Sequence, residues 1–138
     1  MATQDDVRRI ALSLPGAQES PEGFAFTVPH KGRPKGFVWA WRERVHPRKP
    51  RIPSSAVVAV RVADLSEKGF VLAMDERKFF TEPHYDGYPA VLVRLAEVSA
   101  DELEQLIVSS WRCLAPRELA AALDGEGGRR RERTHDGR

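Results

Sequence analysis

The chain has 138 residues, 41% hydrophobic and 30% charged, with a formal net charge of +2. That length supports one core, and no apolar run approaches the roughly 18 residues of a membrane span. The single cysteine, Cys113, leaves neither an intrachain disulfide nor a cysteine-rich zinc site, so a reducing cytoplasm is the expected location.

Taken in chain order, Thr3 is a good N-cap and Asp6 completes a capping-box-like TxxD. Val7, Ile10, Ala11 and Leu14 then recur on one helical face until Pro15-Gly16. Acids and arginines interrupt this segment, so it reads as a capped helix rather than a signal peptide. Phe24 to Val28 and Phe37 to Trp41 alternate large and small side chains. The PHKGRPKG between them reads as too long for a tight turn, which predicts two antiparallel strands joined by an eight-residue basic wing. Residues 43–55 hold three prolines and no period, and read as a loop.

Ala56 to Val62 is a strand by its valines. Asp64 caps a short helix running to Met74. Phe79 to Thr81 is a short strand and Ala90 to Leu95 a longer one. Ser99 with Glu102 forms a second capping box, opening an amphipathic helix that carries Leu103, Leu106, Ile107 and Trp111. Pro116 suits the first turn of a last helix ending at Gly125. Residues 126–138 are polar and rich in arginine, and are expected to form a disordered tail outside a single domain at 1–125. The order α-βββ-α-ββ-α-α predicts an α+β fold, with a mainly antiparallel five-stranded sheet and helices mostly on one face.

Alternation assigns the sheet faces. Phe24, Phe26 and Val28 with Phe37, Trp39 and Trp41 are expected to form the apolar floor beneath the helices. The opposite face is expected to carry Ala25, Thr27, Val38, Ala40, Arg42, Val57, Ala59, Arg61, Ala90, Leu92 and Arg94. These are small residues ending in arginines, suited to an anionic ligand, a homodimer contact or simple solvation.

Phe79–Leu95, FFTEPHYDGYPAVLVRL, crowds polar groups ahead of a strand. Glu82, His84, Tyr85 and Asp86 could form an acid/base cluster, or a loop locked by tyrosine packing. The four histidines have no metal-ligand spacing, and no phosphate-cradling or nucleophile-elbow motif is present, so no cofactor is expected. Cys113 reads as a small buried apolar residue.

Charge is concentrated at 31–51, where Lys31, Arg33, Lys35, Arg42, Arg44, Arg48, Lys49 and Arg51 face Glu43 alone, a local charge of +7. Such density on wing and loop segments suits phosphate contacts.

The segments PHYDGYPAVLVRL, SADELEQLIVSSWRCLAP and DDVRRIALSLPGAQES together resemble the MmcQ/YjbR-like family of small bacterial proteins, over most of residues 4–123. The resemblance implies an α+β fold likened to a "double wing" nucleic-acid-binding arrangement. It also implies a DNA-binding label and no catalytic motif. The family's first hairpin is a short strand–Gly-Lys–strand unit, which PHKGRPKG and the 43–55 segment exceed. The leading expectation is a non-enzymatic, low-specificity DNA-binding protein. Lys31, Arg33, Lys35, Arg48, Lys49 and Arg51 would contact phosphates, with Arg42 and Arg61 at the sheet margin. The alternative is a small-molecule or protein-docking module using the small-residue face and His84, Tyr85, Tyr88 and Arg94. A hydrolase or isomerase built on His84 and a carboxylate is third.

Overall fold

The computed structural model describes residues 1–43 and 48–125; residues 44–47, early in the proline-rich segment, and the arginine-rich tail lie outside the described residues. Chain order runs α1 (Gln4–Leu12), β1 (Gln18–Glu19), β2 (Ala25–His30), β3 (Arg33–Glu43), β4 (Ile52–Arg61), α2 (Leu65–Met74), β5 (Phe79–Phe80), β6 (Ala90–Arg94) and α3 (Ala100–Leu114). A fourth helix, α4, covers 117–125. The fold is α+β. Its antiparallel sheet has six strands in the order β1-β2-β3-β4-β6-β5, rather than five. The extra strand, β1, is only two residues long, too short to leave a periodic signature.

The helix ends follow their capping chemistry. Thr3 and Asp6 close a reciprocal capping box on α1, as do Ser99 and Glu102 on α3, and Asp64 accepts from Glu67 N–H on α2. Glu102 also accepts from Lys78 Nζ at 2.5 Å, which ties the approach to β5 to α3. Lys78 and the Ser99 amide together hold the Glu102 carboxyl below its usual range. The main core lies between the sheet and α1 and α3, with Trp111, Phe26, Phe37, Leu103 and Ile107 fully buried. The Trp111 indole donates to Pro15 O at 3.0 Å, joining α3 to the end of α1.

Two corrections concern β2 and β3. First, PHKGRPKG is not an eight-residue wing. The strands run on through it and close on a two-residue turn, Lys31-Gly32, with φ of 52° and 80°. Positive φ at both turn positions matches the right-handed twist of the strands. His30 pairs with Arg33 beside the turn, so Pro29 and Pro34 form the next, non-hydrogen-bonded pair, where a missing N–H breaks no ladder bond. The His30 imidazole donates through Nδ1 to Leu114 O at 2.9 Å, fastening the hairpin to the end of α3.

The second correction is a β-bulge. Thr27 lies opposite Gly36 but Phe26 lies opposite Val38, so Phe37 is an extra residue in β3. Phe37 and Val38 both enter the helix-side core. From there the alternation is inverted, and Trp39 and Trp41 move to the opposite face, with Val57, Ala59, Ala90 and Leu92. Val38 was expected on that face and lies under the helices instead. The bulge is held from α3, where buried Ser110 Oγ donates to Phe37 O at 2.7 Å. Residues 43–55 are also less of a loop than expected, since β4 begins at Ile52, opposite Glu43.

Among the described residues no α-helix packs on the second face. It is partly covered by the 81–89 segment, which contains a short 3-10 turn, Pro83–Tyr85. Lys68, on α2, is only 6% exposed, and its Nζ donates to Tyr85 O at 2.5 Å and Tyr88 O at 2.8 Å. Burial pushes the Lys68 ammonium down from its ordinary value of about 10.5, against the pull of Asp86.

Ser110→Ala leaves the buried Phe37 carbonyl without its donor, and is expected to lower unfolding free energy by about 1–3 kcal/mol in urea titration; an unchanged midpoint refutes the bulge contact. Lys68→Met should loosen the 83–90 backbone in hydrogen exchange and lower stability by a similar ~1–3 kcal/mol. Because the folded Lys68 value is lowered, the unfolded chain binds more protons between that value and about 10.5. The penalty on the charged form is therefore complete below the window and fades as pH rises through it. Wild-type stability relative to Lys68→Met should rise with pH there; a flat or falling difference would contradict the burial.

Candidate functional site

Trp39, His84, Tyr85 and Tyr88 line a recess of about 280 Å³ on the second face. β3 supplies Trp39 through the bulge, and the 81–89 segment supplies the other three. Trp39 Nε1 donates to Tyr85 Oη at 3.1 Å. The rings meet edge to face: Trp39 and Tyr88 at 6.4 Å, Tyr85 and Tyr88 at 6.1 Å, His84 and Tyr85 at 5.6 Å between centroids. Tyr85 is buried, whereas Tyr88 is 39% exposed and His84 is exposed. Burial pushes the Tyr85 hydroxyl above its ordinary value, so it stays protonated near neutrality and keeps an O–H to donate.

Arg61, at the end of β4, completes the margin. Its Nε donates to Gly36 O at 2.9 Å and its Nη2 to Tyr88 Oη at 2.8 Å. The guanidinium carbon lies 5.4 Å from the Tyr88 ring centroid and 5.6 Å from that of Trp39. Gly36 makes room for this arrangement, because a Cβ there would meet Trp39 Cε3 at 3.3 Å. Two of Arg61's five N–H donors are used by these bonds. The site is thus aromatic walls, two tyrosine hydroxyls and a cation, which suits a planar, electron-rich or anionic group.

The expected ligand set is only partly brought together. His84, Tyr85 and Tyr88 converge, but Arg94 sits at the other end of β6. It donates to Glu76 O and Arg77 O and stacks on Phe80, 4.0 Å from the ring centroid. Trp39, expected under the helices, and Arg61, expected to meet phosphate at the margin, take part instead. The Lys68 pin had no sequence signal, since a lysine in a short capped helix ordinarily faces water. His84 has no hydrogen bond or ion pair to a carboxylate among the described residues, so the acid/base cluster does not form.

The cations divide between the two ends of β3. Lys31, Arg33 and Lys35 are exposed at the hairpin end, and Arg42, Arg48 and Lys49 at the other. Arg51 is half-buried; it donates to Arg42 O at 2.9 Å and lies 3.9 Å from Glu82 Oε1. Glu82 Oε1, Thr81 Oγ1 and Trp41 Nε1 are buried atoms without a hydrogen-bond partner among the described residues. Arg42 lies seven positions along the strand from Lys35, roughly 23 Å at an extended rise.

A larger cleft, about 430 Å³, lies on the helix side between α2 and α3, with Val60, Val71 and Leu106 among its apolar walls and Glu67, Glu102 and Gln105 among its polar ones. Its polar lining holds Arg61 as well as the two carboxylates, so the Arg61 guanidinium borders this cleft and, through the Tyr88 hydroxyl, the recess. Cys113 is at this cleft and exposed, not buried as expected. Burial of its sulfur and nearby Glu67 push the thiol up, away from a reactive thiolate. Among the described residues no helix is long and apolar enough to cross a membrane, and no group of three His, Cys, Asp or Glu could hold a metal ion.

No family model matches the chain. Over 136 residues it is 39% identical to Mb2600 of Mycobacterium bovis and to MT2646 and Rv2570 of Mycobacterium tuberculosis, each described as an uncharacterised protein. These alignments cover 93% of this chain and 100% of the relatives. Among solved structures it is similar to DR2400 of Deinococcus radiodurans, a DUF419 domain, with a TM-score of 0.57 and 20% identity over 80% of this chain and 77% of that one. Similarity at that identity speaks to the fold alone. The match to the mycobacterial sequences is close enough, over nearly the whole of each chain, that this protein belongs to their family.

Proposed function

We propose that the protein is a low-specificity DNA-binding module of the MmcQ/YjbR-like type, holding the phosphate backbone through the two ends of β3. The observation that carries this reading is the division of charge. Exposed cations gather at both ends of the sheet's longest strand. Roughly 23 Å along an extended strand matches about seven phosphates on one strand of duplex at 3.4 Å each. Cations on long, exposed side chains supply charge and reach but no fixed geometry for reading base edges, so sequence preference is weak. The resemblance to a family commonly labelled DNA-binding agrees with this reading.

The contact set is narrower than the sequence implied. Lys31, Arg33 and Lys35 form one contact and Arg42, Arg48 and Lys49 the other. Arg51 and Arg61 bond backbone carbonyls of β3 and stand outside these two end contacts.

Titration of the full chain against a labelled duplex between 50 and 200 mM salt should give log K falling with log salt at a slope near −4 or −5, for about five neutralised phosphates. Replacing Lys31, Arg33 and Lys35 together by alanine should reduce that slope by roughly 2 to 3. No binding at low salt, or a slope unchanged in the triple variant, would sink the two-ended contact.

A further inference from the structure

We infer that the recess of Trp39, His84, Tyr85 and Tyr88 receives one unstacked nucleotide, with its base against the tyrosine and indole rings and its phosphate on Arg61. The inference rests on the nucleic-acid reading above but concerns a different contact. Backbone charge alone binds any polyanion; this recess selects a base that is out of its stack.

The geometry carries it in three ways. First, the recess is small. At about 280 Å³ it is near the lower end for small-molecule sites, so it admits a single ring system rather than a chain. Second, its walls are set before any ligand arrives. Lys68 holds both tyrosine carbonyls, Trp39 bonds the Tyr85 hydroxyl, and Arg61 bonds the Tyr88 hydroxyl. Little side-chain freedom remains to be lost on binding. Third, the polarity fits. Arg61 keeps three N–H groups beyond the two it spends on Gly36 and Tyr88, and Tyr85 keeps an O–H donor. Donors and a cation beside aromatic faces recognise the carbonyl edges and phosphate of a nucleotide. Stacking on aromatic rings tolerates every base. In intact duplex the bases are stacked on their neighbours, so the recess is reachable by single strands, loops and ends.

The test compares a labelled single strand, the same length of duplex, and a free nucleoside monophosphate at one salt concentration, using wild type, Tyr88→Ala and Tyr88→Phe, with melting temperatures as a check on folding. The single strand should bind at least about tenfold more tightly than duplex. Tyr88→Ala should weaken it roughly 5- to 150-fold, the range for one lost base stack, and leave duplex affinity unchanged. Tyr88→Phe keeps the ring and should stay within about threefold of wild type. Duplex binding with no single-strand preference, or with no effect of Tyr88→Ala, overturns the recess and leaves the backbone reading intact. Monophosphate binding lost in Tyr88→Ala, without binding of either polymer, supports the recess as a free-nucleotide site and overturns the backbone reading. No binding of any of the three overturns both.

Discussion

One extra residue in β3 decides how the rest of this protein is arranged. Strand side chains alternate with a period of two, so inserting Phe37 opposite nothing moves every later residue to the other face. Without the bulge, Trp39 and Trp41 would lie under α1 and α3, and the second face would carry Val38 and Ala40 in their place. With it, the helix-side core gains Phe37 and Val38 as adjacent buried residues, and two indoles go to the opposite face. Ser110 stabilises the choice by satisfying the carbonyl of the bulged residue from α3.

A face that carries tryptophans and has no α-helix packed on it among the described residues needs another cover, and the 81–89 segment provides part of one. It is fastened from three directions: by Lys68 from α2, by Trp39 and Arg61 from the sheet, and by Pro89 O, which accepts from Val62 N–H at 2.8 Å. Placing a lysine ammonium where it is 6% exposed is unfavourable unless its protons find acceptors. Two carbonyls supply them, and the remaining desolvation appears as the lowered Lys68 value. That arrangement makes the segment a rigid wall. It also leaves Tyr88 and His84 outermost, so the cover is incomplete at the recess.

Much of this was legible locally. Thr3 with Asp6, Asp64, and Ser99 with Glu102 mark three helix starts because capping depends on residues within a turn of each other. The convergence of His84, Tyr85 and Tyr88 was visible as a cluster, since they come from one short segment. The rest depends on pairing between distant parts of the chain. The bulge exists only as a relation between β2 and β3, and nothing in FVWAW distinguishes a bulged from a regular strand. The hairpin is hidden because PHKGRPKG, rich in glycine and proline, looks like a connection too long for a tight turn, whereas Pro29 and Pro34 face each other at a position where neither needs its missing N–H. Arg94 was grouped with His84 by closeness in sequence, although the length of β6 separates them.

The separation of charge from aromatic surface bears on how a strand would lie on this molecule. Cations at the two ends of β3 attract a backbone from a distance but fix neither its rotation nor its register. Arg61 is different, because it is held between Gly36 O and the Tyr88 hydroxyl and flanked by two rings. A phosphate meeting Arg61 is therefore located relative to the recess, whereas one meeting Lys31 or Lys35 is not. Affinity from the strand ends and discrimination from the recess are then separable properties of one sheet. Mutations at the ends should move salt dependence, and those at Tyr88 should move the preference between paired and unpaired bases.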